Sequence, residues 1–316
     1  MFDMNTELPN RRAVIDIGTN SVKVLVGDLH DGLVTPISEM SRQTRLGAGF
    51  YGTQRLQRPA IDLTAEAVAE FRKSALKLGA SSVRIIATSA ARDARNASEL
   101  IDAVREKTGL ETEVLSGDTE AEWVFRGVTS SPALAESAVL ILDVGGGSTE
   151  FIVGDRGVPQ FRSSYSMGTV RLLEQLHLAD PPGLAALEDC RDRVKEFLAL
   201  QVVPFIEPAL QTCKGPVRLV GTGGTATILA RTETHMAGFD REKIEAVQIP
   251  LERIQKQLDE QWQMTLAQRQ QIVGMPPNRG DVILTGMVIY ESIMEQLGLT
   301  DLSVSTRGLR FWALLH

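Results

Sequence analysis

Asp16-Ile17-Gly18-Thr19-Asn20-Ser21-Val22-Lys23-Val24-Leu25-Val26-Gly27-Asp28 is answered, at a constant offset, by Asp143-Val144-Gly145-Gly146-Gly147-Ser148-Thr149-Glu150-Phe151-Ile152-Val153-Gly154-Asp155. The aspartate, the first glycine, the serine and the closing Val-Gly-Asp match one for one, and apolar positions stay apolar. An internal repeat sets the architecture before any other feature. Each copy reads as strand, turn, strand. A buried run (Ala13-Val14-Ile15, or Val139-Leu140-Ile141-Leu142) ends in an aspartate. The glycines that follow bring backbone N–H groups close to an anion with no Cβ in the way. Thr19, Ser21, Ser148 and Thr149 add hydroxyl donors suited to phosphate oxygens. A carboxylate beside a phosphate cradle repels the ligand, so a divalent cation is the expected intermediary. Asp in a turn also stabilises the turn by itself, but two copies in register weaken that simpler reading.

Working outward, Val217-Arg218-Leu219-Val220 runs into Gly221-Thr222-Gly223-Gly224-Thr225 and then a helix-compatible stretch. A helix N-terminus offers free amides to an anion. This turn is neither a P-loop nor G-x-G-x-x-G.

The first half reads as three strands, helix, strand, helix, strand, helix, with helices expected over Leu63–Leu78, from Thr88 to Arg92 and over Ala97–Thr108. The second half restarts near Val139. Its expected helices are Gly168–Gln175, Leu184–Val203, Leu251–Trp262, Thr265–Val273 and Arg279–Leu297, with Pro204, Pro208 and Pro216 breaking up the approach to the Val217 strand. This order predicts an α/β protein, mixed sheets flanked by helices. Expected domains are 1–125 and 126–302, with 303–316 returning to the first.

The chain has 316 residues, enough for two domains. A net charge of −7 disfavours non-specific duplex nucleic-acid binding. Cys190 and Cys213 stand far apart, and the four histidines show no zinc spacing. Met1 to Arg12 is polar and expected to fray. No apolar run approaches the roughly 20 residues of a membrane helix, so no membrane partner and a cytoplasmic location are expected.

Ser116-Gly117-Asp118-Thr119-Glu120 opens a helix at the junction of the halves. Capping alone explains Asp118. Glu120 faces the expected cleft, where a carboxylate held ionised by the helix N-terminus can deprotonate a water. Arg92 starts a helix at a strand's carboxyl end, the usual place for ligand contacts. Arg279, expected at a helix start against the dipole, suits pairing with a bound anion.

Together with Ala87-Thr88-Ser89-Ala90-Ala91-Arg92 and Pro277-Asn278-Arg279-Gly280-Asp281, these stretches resemble the exopolyphosphatase / guanosine pentaphosphate phosphohydrolase (Ppx/GppA) family, short form, of the actin-like ATPase superfamily. The resemblance implies two ribonuclease-H-like (actin-like) domains around a cleft, and hydrolysis of a terminal phosphoanhydride with Mg²⁺ (Mn²⁺ as substitute). It makes Glu120 the water-activating base, Asp143 a metal-associated carboxylate and Glu150 a supporting acid, with Asp16 completing the metal set. Gly145, Gly146, Gly147 and Ser148 become the phosphate loop; Thr19, Asn20, Ser21, Gly223 and Arg279 join them, and Arg92 holds the polyanion. Polyphosphate is the leading substrate and guanosine pentaphosphate the second. A weakly catalytic alarmone-binding regulator is the third reading, and a homodimer stays open. Two departures stand out: longer relatives continue past this core with a further helical region, which puts processive handling of long chains in question, and Thr119 replaces a glutamate found in many relatives.

Overall fold

The computed structural model describes residues 10–316. The expected frayed start, Met1 to Arg12, lies outside the described residues except for its last three, and these belong to the first strand. Arg11 is held there by donating to Asp28 at 2.7 Å and to the Leu78 carbonyl at 2.6 Å.

Five strands, β1 (Asn10–Ile17), β2 (Ser21–His30), β3 (Leu33–Gln43), β4 (Ser82–Ala87) and β5 (Thr112–Val114), form one sheet in the order β3-β2-β1-β4-β5. Six more, β6 (Ala138–Val144), β7 (Thr149–Asp155), β8 (Val158–Tyr165), β9 (Arg218–Thr222), β10 (Gln248–Pro250) and β11 (Asp301–Val304), form a second in the order β10-β11-β9-β6-β7-β8. Read from its other edge, the second sheet repeats the first, with β10 added outside. In both, a hairpin leads to a central strand that pairs in parallel with the next: β1 with β4, β6 with β9. The sequence repeat is therefore a repeat of topology, and the α/β reading with two mixed sheets holds.

The repeat extends to the irregularities. The β2–β3 pairing shifts register at Val26/Gly27, and the β7–β8 pairing at Val153/Gly154. A Cβ on Gly27 would lie 2.9 Å from Leu314, and one on Gly154 would lie 2.2 Å from the Phe125 ring. Each bulge glycine thus makes room for a helix lying between the sheets: Leu309–Leu315 on the first, Gly117–Thr129 on the second. Phe125, Val128, Phe311 and Leu314 pack between Val14, Leu25 and Ile86 on one side and Val139, Ile141 and Ile152 on the other. The outer faces are covered by helices Arg58–Lys77 and Ala97–Thr108 on the first sheet and by Ile283–Leu297 and Leu251–Trp262 on the second.

Several boundaries differ from expectation. The helix expected from Leu63 starts at Arg58, with Pro59 in its first turn, where the missing N–H has no helical partner to lose. The helix expected over Leu184–Val203 ends at Phe197. A π-helical turn over Leu198–Val202 and a further helix, Val203–Thr212, follow. Pro204 opens that helix and Pro208 sits within it, so neither breaks up the segment as expected. The stretch Thr265–Val273 holds only Leu266–Arg269. Arg279 closes a 3₁₀ turn, Pro277–Arg279, and the long helix begins later, at Ile283. Among the described residues, no helix is long and apolar enough to cross a membrane.

The two interlayer helices meet backbone to backbone. A Cβ on Gly127 would lie 2.0 Å from the Gly308 carbonyl oxygen. Gly127→Ala is therefore expected to destabilise the protein by about 1–3 kcal/mol through overpacking. Denaturant unfolding checks this, and an unchanged midpoint would show that the contact yields freely.

Candidate active site

The two Asp-bearing turns fold alike. Gly18 N–H donates to the Ser21 carbonyl at 3.1 Å, and Gly145 N–H to the Ser148 carbonyl at 3.0 Å. In the register of the hairpins, Asp16 faces Lys23 and Asp143 faces Glu150. The two turns close on one cavity of about 90 Å³. It is lined by Asp16, Thr19, Asn20, Ser21, Glu120, Asp143, Gly145, Gly146, Gly147, Ser148, Glu150 and Arg279, so most of the residues singled out in the sequence come together. A larger cavity of about 370 Å³ shares Asp16, Lys23, Asp143 and Arg279 with the first and continues past Arg231 and Arg310.

Two expected residues are placed differently. Gly223 lines only the larger cavity, and its role is steric. With φ +80°, it sits where a Cβ would fall 2.3 Å from the Asp143 Oδ1. Arg92 lines neither cavity. Its guanidinium donates to Glu120 at 2.7 Å and to the Leu115 carbonyl at 3.2 Å. Arg92 thus grips a carboxylate of the site, a contact that the sequence reading did not include. Ser116, not Asp118, caps the latter helix by accepting from the Thr119 N–H.

Burial dominates the electrostatics. Glu120 is 7% exposed, and its carboxyl is pushed up to about 7, by desolvation first; Arg92 opposes this, while the Asp143 and Asp16 carboxylates add to it. Desolvation therefore outweighs the helix N-terminus that was expected to hold Glu120 ionised. Glu150 is raised well above the ordinary range by burial and by Glu120 and Asp143, even though Ser164 and Ser148 donate to it at 2.7 and 2.9 Å. Asp16 and Asp143 are raised by burial and partly relieved by Lys23.

Lys23 and Ser89 escaped the sequence reading. Lys23 had a legible signal, since it stands in the repeat where the second copy has Glu150. Burial drives the Lys23 ammonium down, Arg310 adds to that, and Asp16 and Asp143 support its charge.

As for a metal, the Asp16 Oδ1 is buried with no hydrogen-bond partner, an orphan that a cation would satisfy. Among the described residues, no group of three or more acids, histidines or cysteines converges into a cage, so Asp16, Asp143 and Glu150 do not form the expected three-carboxylate set. Mg²⁺ needs none, because it commonly takes one or two carboxylates and completes its shell with water and phosphate oxygens. Asp16 and Asp143 fit that pattern.

Residues 24–311 match the model of the Ppx/GppA phosphatase family. The chain is 34% identical to exopolyphosphatase 2 of Mycobacterium tuberculosis, over 93% of this chain and 94% of the relative. An exopolyphosphatase crystal structure from Cytophaga hutchinsonii superposes with a TM-score of 0.85 at 27% identity, covering 96% of each chain. The Aquifex aeolicus Ppx/GppA family member superposes with a TM-score of 0.77 at 29% identity, again over 96% of both.

The upward shift of the Glu150 carboxyl, caused first by its burial, predicts a contrast between two variants. Glu150→Gln keeps an acceptor for both serines and should melt at or above the wild-type temperature. Glu150→Ala leaves two hydroxyls unpaired beside a void and should lose about 1–3 kcal/mol. Equal losses in the two would mean that Glu150 is charged in the folded protein.

Proposed function

The chain belongs to the Ppx/GppA phosphatase family, and from that premise we propose that it is a metal-dependent phosphoanhydride hydrolase that releases the terminal phosphate of inorganic polyphosphate. The observation that carries this reading is the single cavity in which both phosphate-type turns meet Glu120. A carboxyl with a pKa of about 7 is matched to general-base work near neutral pH.

In this reading the amides and hydroxyl of Gly145–Ser148 hold the terminal phosphoryl group. Arg92 grips the Oε2 of Glu120 at 2.7 Å, which fixes the carboxylate and leaves Oε1 to take a proton from water. The water oxygen bonds to the terminal phosphorus, the bridging P–O bond breaks, and the electron pair leaves with the shortened chain. Lys23 and Arg279 line both cavities, where they face the developing charge on that chain. Asp16 and Asp143 would hold a divalent cation, Mg²⁺ with Mn²⁺ as substitute, which neutralises phosphate charge beside the acids.

Phosphate release from short polyphosphate, long polyphosphate and guanosine pentaphosphate, with Mg²⁺ and with excess chelator, tests the reading. Turnover of polyphosphate that disappears with chelator is expected. A clear preference for the nucleotide would make this a guanosine pentaphosphate phosphohydrolase, and full activity in chelator would remove the metal.

Glu120→Gln should lower kcat by roughly 10²–10⁴ while substrate binding survives. In the wild type, kcat/KM should fall as pH drops through about 7, because the base must be ionised. Near-normal turnover in the variant would take Glu120 out of the chemistry.

A further inference from the structure

Three hydroxyl groups from separate parts of the first sheet's layer converge on one point above the phosphate loop of the second. A Cβ built on Gly147 would lie 2.5 Å from Ser89 Oγ, 2.7 Å from Thr19 Oγ1 and 2.8 Å from Tyr51 Oη. Thr19 belongs to the first turn, Ser89 follows β4, and Tyr51 comes from the short helix Phe50–Thr53 after β3. Ser89 Oγ is buried with no hydrogen-bond partner, and so is the Asn20 Nδ2 on the lining of the same cavity, whereas Tyr51 lies against the Thr19 hydroxyl and lines neither cavity. Ser89 is 3% exposed and lines the smaller cavity. Leaving a buried donor unmade costs free energy, and a concentration of such donors at one place marks a position for an acceptor.

The segment carrying Tyr51 is fastened across the cleft. Gly47 N–H donates to the Thr19 carbonyl at 2.8 Å, and Gly49 N–H donates to Glu174 of the helix Thr169–Leu176 at 2.6 Å. The Arg171 guanidinium lies 4.3 Å from the centre of the Tyr51 ring and donates to the Gly147 carbonyl at 2.9 Å. The smaller cavity is thus walled at the Gly147 end, while at its other end it shares Asp16, Lys23, Asp143 and Arg279 with the larger, arginine-bearing one.

Resting on the hydrolase reading above, we propose that Ser89, with Thr19, forms a hydroxyl clamp that reads the free end of the substrate chain, with Tyr51 standing behind Thr19. A terminal phosphoryl group has three non-bridging oxygens, whereas an internal one has two and continues as chain on both sides. The walled end accepts the first and leaves the second no way through. The rest of the chain extends into the larger cavity. Ser89 and Thr19 are then the residues that restrict attack to chain ends.

Orthophosphate presents the same oxygens and tests the clamp without turnover. Calorimetric titration of inorganic phosphate, with Mg²⁺ present, would be run on the wild type, Ser89→Ala and Tyr51→Phe, each with a melting curve. Tyr51→Phe keeps the ring on Arg171 and removes a hydroxyl that lines neither cavity, so it is the control. The clamp predicts phosphate affinity weakened about tenfold or more in Ser89→Ala, the usual effect of losing one hydrogen bond to a charged group, and a far smaller change in Tyr51→Phe. It predicts a melting temperature at or above wild type for Ser89→Ala, because an orphaned donor has been removed. A Ser89 hydroxyl with only a structural part would give the reverse: unchanged phosphate affinity and lower melting. That pattern, or no phosphate binding by the wild type, overturns the proposal. A second arm offers the wild type polyphosphate with both ends esterified. Resistance of the blocked chains is expected, and their hydrolysis at the free-ended rate would also overturn the clamp. Failure to hydrolyse free-ended chains would count against the hydrolase reading alone, leaving the phosphate titration to decide the clamp.

Discussion

Four carboxylates buried around one small cavity constrain everything else in this molecule. Asp16, Glu120, Asp143 and Glu150 all line it, and burial raises the pKa of each. A fold that gathers like charges out of water must offset them. Here Arg92 and Lys23 do part of that, two serine hydroxyls settle Glu150, and a cation fits at the orphaned oxygen of Asp16. The linkage has a definite sign. The folded chain holds the Glu120 proton more tightly than the unfolded chain does. This group's contribution to stability is therefore full below the unfolded pKa of about 4.3 and is lost as pH rises through about 7. The site thus sacrifices stability near neutral pH to keep a base at a useful pKa.

The duplicated hairpin is what makes such a site geometrically available. Two copies of one turn, each fixed by the same glycine-to-carbonyl hydrogen bond, approach each other with their loops in contact. Glycine is required at that contact because the neighbours are side chains and backbone of the opposite layer: Gly146 abuts Thr19, and Gly147 abuts three hydroxyls. The same logic recurs at the bulge glycines Gly27 and Gly154, which admit the two interlayer helices. One of those helices carries Glu120 to the cavity, so the packing that joins the layers also delivers the base.

Much of this was legible in the residues. The repeat pointed to two similar halves, each opening with a hairpin, and the donors of both turns were readable because a turn is local. What failed was mostly non-local. Arg92 looked like a substrate contact because its position after a strand is a ligand position in many sheets. The partner that the structure gives it, Glu120, lies on another helix, and no periodicity relates the two. Ser89 carried no signal, since a serine opening a helix is ordinary; only the approach of Gly147 shows that its hydroxyl is orphaned. Lys23 was visible and unread: comparing the copies sets it opposite Glu150, a reversal of charge at one site of a repeat. Pro204 misled because proline breaks a helix only where an amide is needed, and it falls in a first turn; Pro208 sits inside the same helix, which continues past it.

Burial, with the neighbouring Asp143 and Asp16 carboxylates, is what lifts Glu120 to about 7. Difference infrared spectroscopy of the carboxyl stretch, followed across pH in the wild type and in Glu120→Gln, measures that directly. A carboxyl band titrating at about 7 that is present in the wild type and missing from the variant is the predicted result. A wild-type protein with identical spectra to Glu120→Gln across that range, every difference confined to the ordinary carboxylate region, would contradict it.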